Sequence, residues 1–506
     1  MDQSQQIMNQ NPQDFEKLRQ FLSVNRAVEN LKNVIPIETS FNTQQQSRIN
    51  EYKQKLKQCQ ENNQKFTDTE FPPIETSLSY SNFEKLSVSK KQIWKQIQWL
   101  RPSEFLDKNQ QIHIFEKPFG SSANVIEPND IRQGKLGNCY FLSALSSIAE
   151  QPKLIKRLFT SSEYNEFGIY AIWLHVNGEW KQIIIDDYIP CYNGQPIFSK
   201  NTGNEIWVML IEKAYAKAYG SYEIIDQGGN PAYALKELTG APCFNFDKNK
   251  QLTGQQQEQE FWNFVSKNFR NEYVITCYTE MTGKQDQENA LGLLSGHSYA
   301  ILRAEQVVSS AGKSERIFKI RNPWASKEWR GDWADDSYLW TQELRKLLEV
   351  EQKDDGCFWI NTKDFTKYFL GIGVCKVNDG FKFNSINLNT DIQEQFMVRV
   401  KVERDSHLLI SLNQIDQKMF KNDPDYKYAF LQVLAGKMNQ QNQSLDFMEG
   451  DFKQERSVSI ESQFQKGDYI VLISVRQFPK YKHKMVLWLR QLITRKLITS
   501  NINQIQ

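Results

Sequence analysis

The chain has 506 residues, a formal net charge of +2 and 40% hydrophobic residues, so we expect roughly three domains with hydrophobic cores and no nucleic-acid partner. Its seven scattered cysteines show no CxxC spacing, which argues against a disulfide framework and against a cysteine-rich zinc site. No apolar run approaches the ~18 residues that span a membrane, and the first residues lack a signal-peptide pattern. We therefore expect a soluble, cytoplasmic protein.

Residues 1–65 form an N-terminal extension that is rich in Gln and Asn. Such a composition favours a weakly ordered or helical segment over a packed core. Aromatic residues and prolines appear from Phe66 onward, and we expect the globular part to begin there.

Residues 135–240 show a mainly helical pattern with one pair of strands. A helical stripe of Leu142, Leu145 and Ile148 follows Cys139. The stretch GIYAIWLHVNGEWKQIIIDDYIP predicts a β-hairpin with Asn-Gly as its turn. The stretch EIWVMLIEKAYAKAYG predicts a helix that ends at Gly220.

Strands dominate the rest of the chain. Between residues 260 and 375, alternating apolar residues predict strands in YVITCYT, HSYAILRAEQV and RIFKIRNPW. Between residues 385 and 492 almost every segment reads as a strand, at a spacing typical of a β-sandwich. An α-rich part is thus followed by a β-rich part and then by an all-β block.

The stretch QGKLGNCYFLSA places two glycines before Cys139 and a helix-like apolar pattern after it. A cysteine attacks as a thiolate, and a helix N-terminus together with an imidazolium lowers its pKa from ~8.5. Cys139 is therefore a candidate nucleophile that needs a histidine from elsewhere in the chain. Of the five histidines, His297 in SGHSYAIL follows a glycine at the start of a strand, where a side chain is able to face a cleft.

A third group should orient the imidazole of His297. Asn322 in IRNPW ends the next predicted strand, and two adjacent antiparallel strands would bring the two residues side by side. Gln133 begins the loop before Cys139, where its amide is able to donate to an oxyanion together with the Cys139 backbone N–H. Taken singly, a lone cysteine on an apolar helix more often fills a core, and Asn-Pro usually marks a turn. The ordered set of four residues is stronger, because four independent roles fall at usable spacing.

Several further stretches are similar to motifs of the calpain protease core: QGKLGNCYFLSAL, GEWKQIIIDDYIP, GNEIWVMLIEKAYAKAYGSYE, LSGHSYAIL, RNPWASKEWRGDWAD and DGCFWI. This resemblance covers residues 66 to about 375. The segments LNQID and FQKGDYIVLIS of the last block resemble, more weakly, the calpain β-sandwich. The resemblance implies a papain-like cysteine endopeptidase with Cys139, His297 and Asn322 as its triad and Gln133 as its oxyanion donor. It also implies that Trp324 matches the tryptophan that lies between the subdomains in the inactive form.

The predicted fold class is therefore α+β, with a papain-like two-subdomain cysteine protease core followed by an all-β C2-like sandwich. The predicted domains are the N-terminal extension 1–65, the first core subdomain 66–240, the second core subdomain 241–378, the calpain-type sandwich 379–495 and a tail 496–506. The family usually has Trp directly after the nucleophile, and here Tyr140 keeps an aromatic residue at that position. No penta-EF-hand pattern follows the sandwich in this sequence, so we expect no small EF-hand subunit as a partner.

The resemblance further implies one Ca²⁺ ion in each core subdomain. In the first subdomain it assigns the carboxylates of Asp130 and Glu205 and carbonyl groups near Ala123 and Val125. Both carboxylates are present, so this site is expected to be complete. Without the resemblance, the two acids would be interpreted as ordinary solvated charges.

In the second subdomain the resemblance assigns Glu328, Asp335 and Asp355 together with the carbonyl of Lys353. A further carboxylate of the family falls at Cys357 in this chain. Calcium prefers about six to eight oxygen ligands, and a thiol is a poor substitute for a hard ligand. The second site is therefore expected to be weakened.

These observations predict a calcium-regulated intracellular cysteine endopeptidase that makes limited cleavages in protein substrates. One alternative is a calpain-like scaffold with impaired proteolysis that binds calcium, a membrane or partners. Another is transglutaminase-like acyl transfer, which normally uses Asp in place of Asn322. Acids near the predicted strand ends of the sandwich would allow calcium-dependent binding to an anionic membrane, although solvated loop acids are equally expected: Asp416, Asp423, Asp425, Asp446 and Asp451.

Overall fold

A computed structural model describes residues 41–116, 126–200, 202–249, 251–252, 254–377, 381–389, 393–420, 423, 425–439, 445–476 and 484–492. Its α-helices are α1 Phe41–Glu61, α2 Glu75–Leu78, α3 Val88–Trp94, α4 Pro102–Phe105, α5 Cys139–Ala149, α6 Pro152–Lys156, α7 Trp207–Tyr219, α8 Tyr222–Ile225, α9 Pro231–Thr239, α10 Gln255–Arg270, α11 Gln342–Leu347 and α12 Thr362–Tyr368. Short 3₁₀ helices cover Pro128–Asp130 and Gln417–Met419. In these described ranges no helix is long and apolar enough to cross a membrane.

The strands are β1 Gln98–Leu100, β2 Ile169–Val176, β3 Glu179–Asp186, β4 Ile189–Tyr192, β5 Gln195–Pro196, β6 Cys243–Asp247, β7 Val274–Thr279, β8 Ser298–Val308, β9 Ser314–Arg321, β10 Cys357–Asn361, β11 Phe369–Cys375, β12 Phe381–Asn389, β13 Gln393–Val402, β14 Ser406–Asn413, β15 Phe430–Met438, β16 Leu445–Lys453, β17 Ser457–Phe464, β18 Gly467–Arg476 and β19 Lys484–Leu492. The pairings between these strands are antiparallel. Helices and antiparallel sheets occur together, which agrees with the predicted α+β class.

Backbone contacts divide the chain into two compact units. The larger unit comprises residues 48–175 and 180–378, and the smaller comprises residues 1–47, 176–179 and 379–506.

Between residues 139 and 220, two local sequence signals form the predicted elements, and a third forms a helix of a different kind. Strands β2 and β3 pair as a hairpin, and its turn residues Asn177 and Gly178 have φ values of 55° and 87°, as a type I′ turn requires. Helix α7 ends at Gly220, whose φ of 103° is the left-handed conformation of a helix C-cap. Helix α5 differs from the predicted stripe because all of its residues are buried, so it is a central helix rather than an amphipathic one.

The second half of the larger unit is built on a six-stranded sheet with the strand order β10-β9-β8-β7-β11-β6. Helix α10 covers it with Phe261 and Val265, and helix α12 adds Phe365 to the same hydrophobic cluster. Strands β8 and β9 pair with Ala300 opposite Arg321. The first residues of β8 and the last residues of β9 are therefore neighbours, at the same end of the two strands.

Helix α1 belongs to the predicted N-terminal extension, yet it contributes to a core. Tyr52 is buried against Ile169, Ala171 and Ile184 of the β2–β3 hairpin. The expectation that residues 1–65 take no part in a core is therefore wrong for this helix. The reason is a contact with residues more than a hundred positions away, which the Gln-rich composition does not indicate. Residues 1–40 lie outside the described residues.

The smaller unit contains two four-stranded antiparallel sheets, with the orders β12-β19-β14-β17 and β13-β18-β15-β16. Alternate residues of both sheets, such as Val398, Ile410 and Val471, belong to one buried cluster. This is the arrangement expected when two sheets each turn one apolar face to a common core. The C2-like type of this block stays a prediction.

Candidate active site

Cys139 is the first residue of α5 and is buried, with 4% of its surface exposed. The two preceding glycines are explained by close backbone contacts. A Cβ atom at Gly134 would lie 2.0 Å from the carbonyl oxygen of Phe198, and one at Gly137 would lie 2.6 Å from that of Asp226. Side chains at these positions would push the loop away from its support. The glycines therefore allow the loop to deliver Cys139 to the start of the helix.

The residue before the nucleophile candidate is held by a buried carboxylate. Asn138 donates through Nδ2 to Oε1 of Glu212 over 2.8 Å, and Ser199 donates its N–H and its hydroxyl to Oε2. Burial raises the pKa of Glu212 to about 7, against the effect of these hydrogen bonds. Glu212 thus holds Asn138, the residue directly before the first turn of α5, in place.

His297 directly precedes β8, and its Nε2 lies 2.9 Å from Oδ1 of Asn322, at the end of β9. The Nδ2 group of Asn322 donates to the carbonyl oxygens of Ser326 and Lys327 over 2.8 and 3.0 Å. Because both N–H bonds of the amide are used there, Oδ1 must face the ring. Nε2 of His297 therefore carries a proton and donates it to Asn322.

The other ring nitrogen of His297 contacts an acid that the sequence analysis did not identify. Nδ1 lies 2.7 Å from Oδ1 of Asp286. A carboxylate only accepts, so this bond requires a proton on Nδ1 as well, and His297 is then an imidazolium. Asp286 lies in the loop between β7 and β8, a position that gave no sequence signal beyond being an acid shortly before SGH.

The thiol, the imidazole and the carboxylate converge. One ligand atom each from Cys139, Asp286 and His297 lie within 4.8 Å of one another. Burial lowers the pKa of His297, but the charges of Cys139 and Asp286 and hydrogen bonds to both raise it, and the net result is about 9. The surroundings thus favour the imidazolium at neutral pH.

Gln133 and Trp324 lie beside this group. The backbone N–H of Gln133 donates to the carbonyl oxygen of Pro323 over 2.8 Å, which ties the start of the Cys139 loop to the residue after Asn322. The Gln133 side chain donates to the carbonyl oxygen of Leu136 over 2.7 Å, and its amide has a second N–H bond. The Trp324 ring meets the His297 ring edge to face at 5.5 Å, so Trp324 packs on an imidazole that Cys139 already approaches.

Tyr140, which replaces the tryptophan of the family pattern, is buried. Its hydroxyl donates to the carbonyl oxygen of Ile225 over 3.3 Å. Its ring fills the space next to Gly229, where a Cβ atom would come within 2.6 Å of the ring. The tyrosine therefore has a fitted site in this chain.

The predicted first calcium ligands Asp130 and Glu205 are adjacent buried acids. Burial and the charge of Asp130 raise the pKa of Glu205 to about 9, and the pKa of Asp130 is also raised, chiefly by burial. Oε1 of Glu205 is buried and accepts no hydrogen bond from the described residues. The predicted carbonyl ligands at Ala123 and Val125 lie outside the described residues.

The predicted second set also lies close together. Burial raises the pKa of Glu328 to about 7, and the charges of Asp335 and Asp355 contribute. Burial and Asp355 raise the pKa of Asp335 to about 6, against a hydrogen bond from the backbone of Lys353. Within the described residues, only Cys139, Asp286 and His297 bring three ligand atoms within 4.8 Å, so this acidic cluster is more open than a closed metal cage.

Cys357 lies at the edge of this second cluster. Its N–H donates to Oδ1 of Asp355 over 2.8 Å, and its Sγ lies 3.6 Å from Oδ1 of Asn129. Burial raises the pKa of its thiol to about 12, with Arg321 acting in the opposite direction. The neutral thiol is therefore the stable form at this position.

A buried thiol at a helix N-terminus, beside an imidazole oriented by an amide, fits the catalytic site of a cysteine protease. Residues 66–376 match the family model "Calpain family cysteine protease". The chain therefore belongs to the calpain family of cysteine proteases, which confirms the resemblance found in the sequence.

Similar proteins come from plants and animals. The chain is 36% identical over 319 residues to the "Calpain-type cysteine protease DEK1" of Arabidopsis thaliana, covering 62% of this chain and 14% of that protein. It is 30% identical over 355 residues to the "Calpain-1 catalytic subunit" of Rattus norvegicus, covering 68% of this chain and 47% of that protein. The chain thus spans a small part of the plant relative and about half of the rat relative.

Proposed function

We propose that this chain is a calcium-regulated cysteine endopeptidase that makes limited cleavages in protein substrates. The observation that carries the proposal is the position of Cys139, at the N-terminus of α5 and within 4.8 Å of His297. The partner nitrogen of that imidazole is held by Asn322. A structural cysteine would not need an oriented, charged imidazole beside it.

In the proposed reaction the Cys139 thiolate attacks the scissile carbonyl carbon. His297 is an imidazolium during this attack and keeps its Nδ1 proton. The oxyanion that forms accepts hydrogen bonds from the Cys139 backbone N–H at the helix N-terminus and from the second N–H bond of Gln133. His297 then transfers its Nδ1 proton to the leaving amine, and the acyl group remains on sulfur. Neutral His297 then accepts a proton from water as the water oxygen attacks the acyl carbon, the C–S bond breaks, and the carboxylic acid product leaves Cys139 as a thiolate.

Asn322 keeps the imidazole in the plane that this proton transfer needs. It holds Nε2 while Nδ1 exchanges its proton, so the same tautomer returns after each cycle. Asp286 contacts Nδ1 of His297, the same nitrogen that the Cys139 thiolate must contact. It therefore raises the pKa of His297 and competes with Cys139 for the Nδ1 proton.

Calcium is proposed as the regulator because the acidic clusters fit a hard cation. Burial raises the pKa of both acids, the charge of Asp130 raises that of Glu205 further, and a buried oxygen of Glu205 has no hydrogen-bond donor among the described residues. Bound calcium would supply the positive charge that lets both acids ionise together. Glu328, Asp335 and Asp355 offer the same chemistry in the second cluster, with Lys353 contributing backbone groups.

Protein substrates and a cytoplasmic location remain part of this proposal, as does the lack of a small EF-hand subunit. Binding of the sandwich to an anionic membrane has less support. Asp416 is buried and forms an ion pair with Arg456 at 2.9 Å, and Asp451 lies 3.1 Å from the amine of Lys453. These two acids already have cationic partners within the protein, which lowers their availability for calcium at a membrane.

A casein-cleavage assay with and without calcium tests the proposal against its alternatives. The endopeptidase predicts new peptides that appear when calcium is added. A scaffold predicts no cleavage at any calcium concentration. A transglutaminase-like enzyme predicts incorporation of an amine into casein without a cut chain.

A further inference from the structure

We propose that Cys139, Asp286 and His297 together form a binding site for Zn²⁺, and that an occupied site is proteolytically inactive. The site itself rests on the geometry of these three residues. Only the inactivation rests on the proposed function.

The three side chains offer one sulfur, one nitrogen and one oxygen atom, all within 4.8 Å of one another. Zinc binds sulfur at ~2.3 Å, and nitrogen and oxygen at ~2.0–2.2 Å, in a tetrahedron. Two such nitrogen and oxygen ligands lie about 3.3 Å apart, compared with 2.7 Å between Nδ1 and Asp286 Oδ1. A shift of about half an ångström in a loop side chain would therefore admit the ion, and water would take the fourth position.

The surroundings of the trio match what zinc ligands need. A ligating histidine usually donates its other N–H to an acceptor that fixes the ring, and Asn322 already accepts that bond from His297. Cys139 and His297 are buried, while Asp286 is partly exposed and leaves an entry path. One thiolate and one carboxylate balance the two charges of the ion.

The ligand atoms of these three residues favour Zn²⁺ over Ca²⁺, the cation proposed for the acidic clusters. Thiolate and imidazole are soft or borderline ligands that suit Zn²⁺, whereas Ca²⁺ prefers oxygen ligands only. The chain would thus hold two kinds of metal site with opposite effects. Calcium is not expected to displace zinc from Cys139.

Zinc would remove both reacting groups at once. The Cys139 thiolate would be bonded to the ion, and the Nδ1 proton of His297 would be released to solvent so that the nitrogen lone pair can bind. Neither a free nucleophile nor a proton for the leaving amine would remain.

The site is tested without activity by measuring how zinc protects Cys139 from iodoacetamide, with the alkylated peptide quantified by mass spectrometry. Zinc is expected to slow alkylation of Cys139 and to leave Cys59 unaffected. In Asp286→Asn the zinc concentration for half-protection should rise at least about tenfold. Asp286→His, which restores a zinc ligand, should return it towards the wild-type value, and Glu280→Gln in the same loop is the matched control.

Equal half-protection in wild type and Asp286→Asn would show that Asp286 is not a ligand, and absence of protection would remove the site altogether. In a second arm, proteolysis is measured against zinc at two saturating calcium concentrations, each variant relative to its own zinc-free rate. Inhibition that calcium does not relieve supports the Cys139 site. Relief by calcium would mean that zinc acts at the acidic clusters, which overturns the proposal. If no proteolysis occurs at all, the alkylation arm still decides whether zinc binds.

Discussion

The carboxylate of Asp286 lies 2.7 Å from Nδ1 of His297, on the same ring nitrogen that must serve Cys139. The imidazolium therefore has two anionic neighbours, and its pKa is raised to about 9. The protonation state of His297 therefore depends on Asp286, a residue of the loop between β7 and β8, as well as on the position of the imidazole.

The first prediction concerns the pH dependence of proteolysis. A histidine with a raised pKa is charged below that pKa and loses its charge as the pH rises through it, so the imidazolium form is lost near pH 9. We expect kcat/KM to fall on the alkaline side near this value. Asp286→Asn removes one anionic neighbour and should move the alkaline limb to lower pH by about one unit. The measurement is kcat/KM against pH in zinc-free buffer.

Glu280→Gln is the control for this profile, because Glu280 is an exposed acid at the start of the same loop. Its alkaline limb should coincide with that of the wild type. An Asp286→Asn profile that also coincides with the wild type would contradict the assigned ion pair.

The second prediction concerns Asn322. In Asn322→Ala the imidazole loses the acceptor that holds Nε2, so proton transfer to the leaving amine becomes poorly aligned. We expect kcat to fall by about 10²- to 10⁴-fold, with a smaller effect on KM. A melting temperature measured in parallel separates this loss from unfolding. A mutant with wild-type kcat would show that Asn322 does not orient the base.

Local chemistry explains which parts of the fold the sequence predicted. The Asn177-Gly178 turn and the Gly220 helix end follow from backbone conformations that few residues adopt. The pairing of His297 with Asn322 follows from two neighbouring strands. These features depend on residues that are close in sequence or in consecutive elements.

The parts that were missed depend on contacts from irregular loops or between residues far apart in the chain. Asp286 reaches His297 from an irregular loop, whose path is set by its contacts with β7 and β8 and not by a repeating pattern. Tyr52 is buried against a hairpin that lies more than a hundred positions further along the chain. Cys357 meets Asn129 across 228 positions of the chain. No periodicity or motif in the sequence encodes such contacts.

The third prediction concerns the first acidic cluster. Without calcium, burial and the charge of Asp130 raise the pKa of Glu205 to about 9, so Glu205 is a buried acid whose ionisation is disfavoured at neutral pH. Glu205→Gln removes this acid and should raise the melting temperature of the calcium-free protein at neutral pH. The same change should reduce the additional stabilisation that calcium gives. Differential scanning calorimetry with a chelator and with calcium measures both effects.

Glu75→Gln, a change of an exposed acid on α2, is the control and should leave both melting temperatures unchanged. If Glu205→Gln keeps the full calcium-dependent stabilisation, Glu205 is not a calcium ligand.

The fourth prediction concerns Cys357. A carboxylate at this position would add an anionic oxygen next to Asp355, whose Oδ1 is already bonded to the Cys357 N–H. A charged partner contributes about 1–3 kcal/mol, which corresponds to about ten- to a hundredfold in binding. Cys357→Glu should therefore shift the calcium activation curve to lower concentration and leave the saturated rate nearly unchanged. Asp130→Ala should raise the calcium requirement in both backgrounds.

Cys357→Ser controls for loss of the thiol without adding charge, and its activation midpoint should stay at the wild-type value. A Cys357→Glu midpoint that also stays there would show that position 357 does not contribute to a calcium site in this protein.

The most direct test of the central claim is the cleavage of casein by purified wild-type protein, Cys139→Ala and Cys59→Ala at saturating calcium. Cys139 is placed at the helix N-terminus beside His297, whereas Cys59 lies on α1. We predict that Cys139→Ala folds with a wild-type circular dichroism spectrum and releases no peptides, while Cys59→Ala cleaves at the wild-type rate. Calcium-dependent cleavage by Cys139→Ala at the wild-type rate would contradict the assignment of Cys139 as the nucleophile.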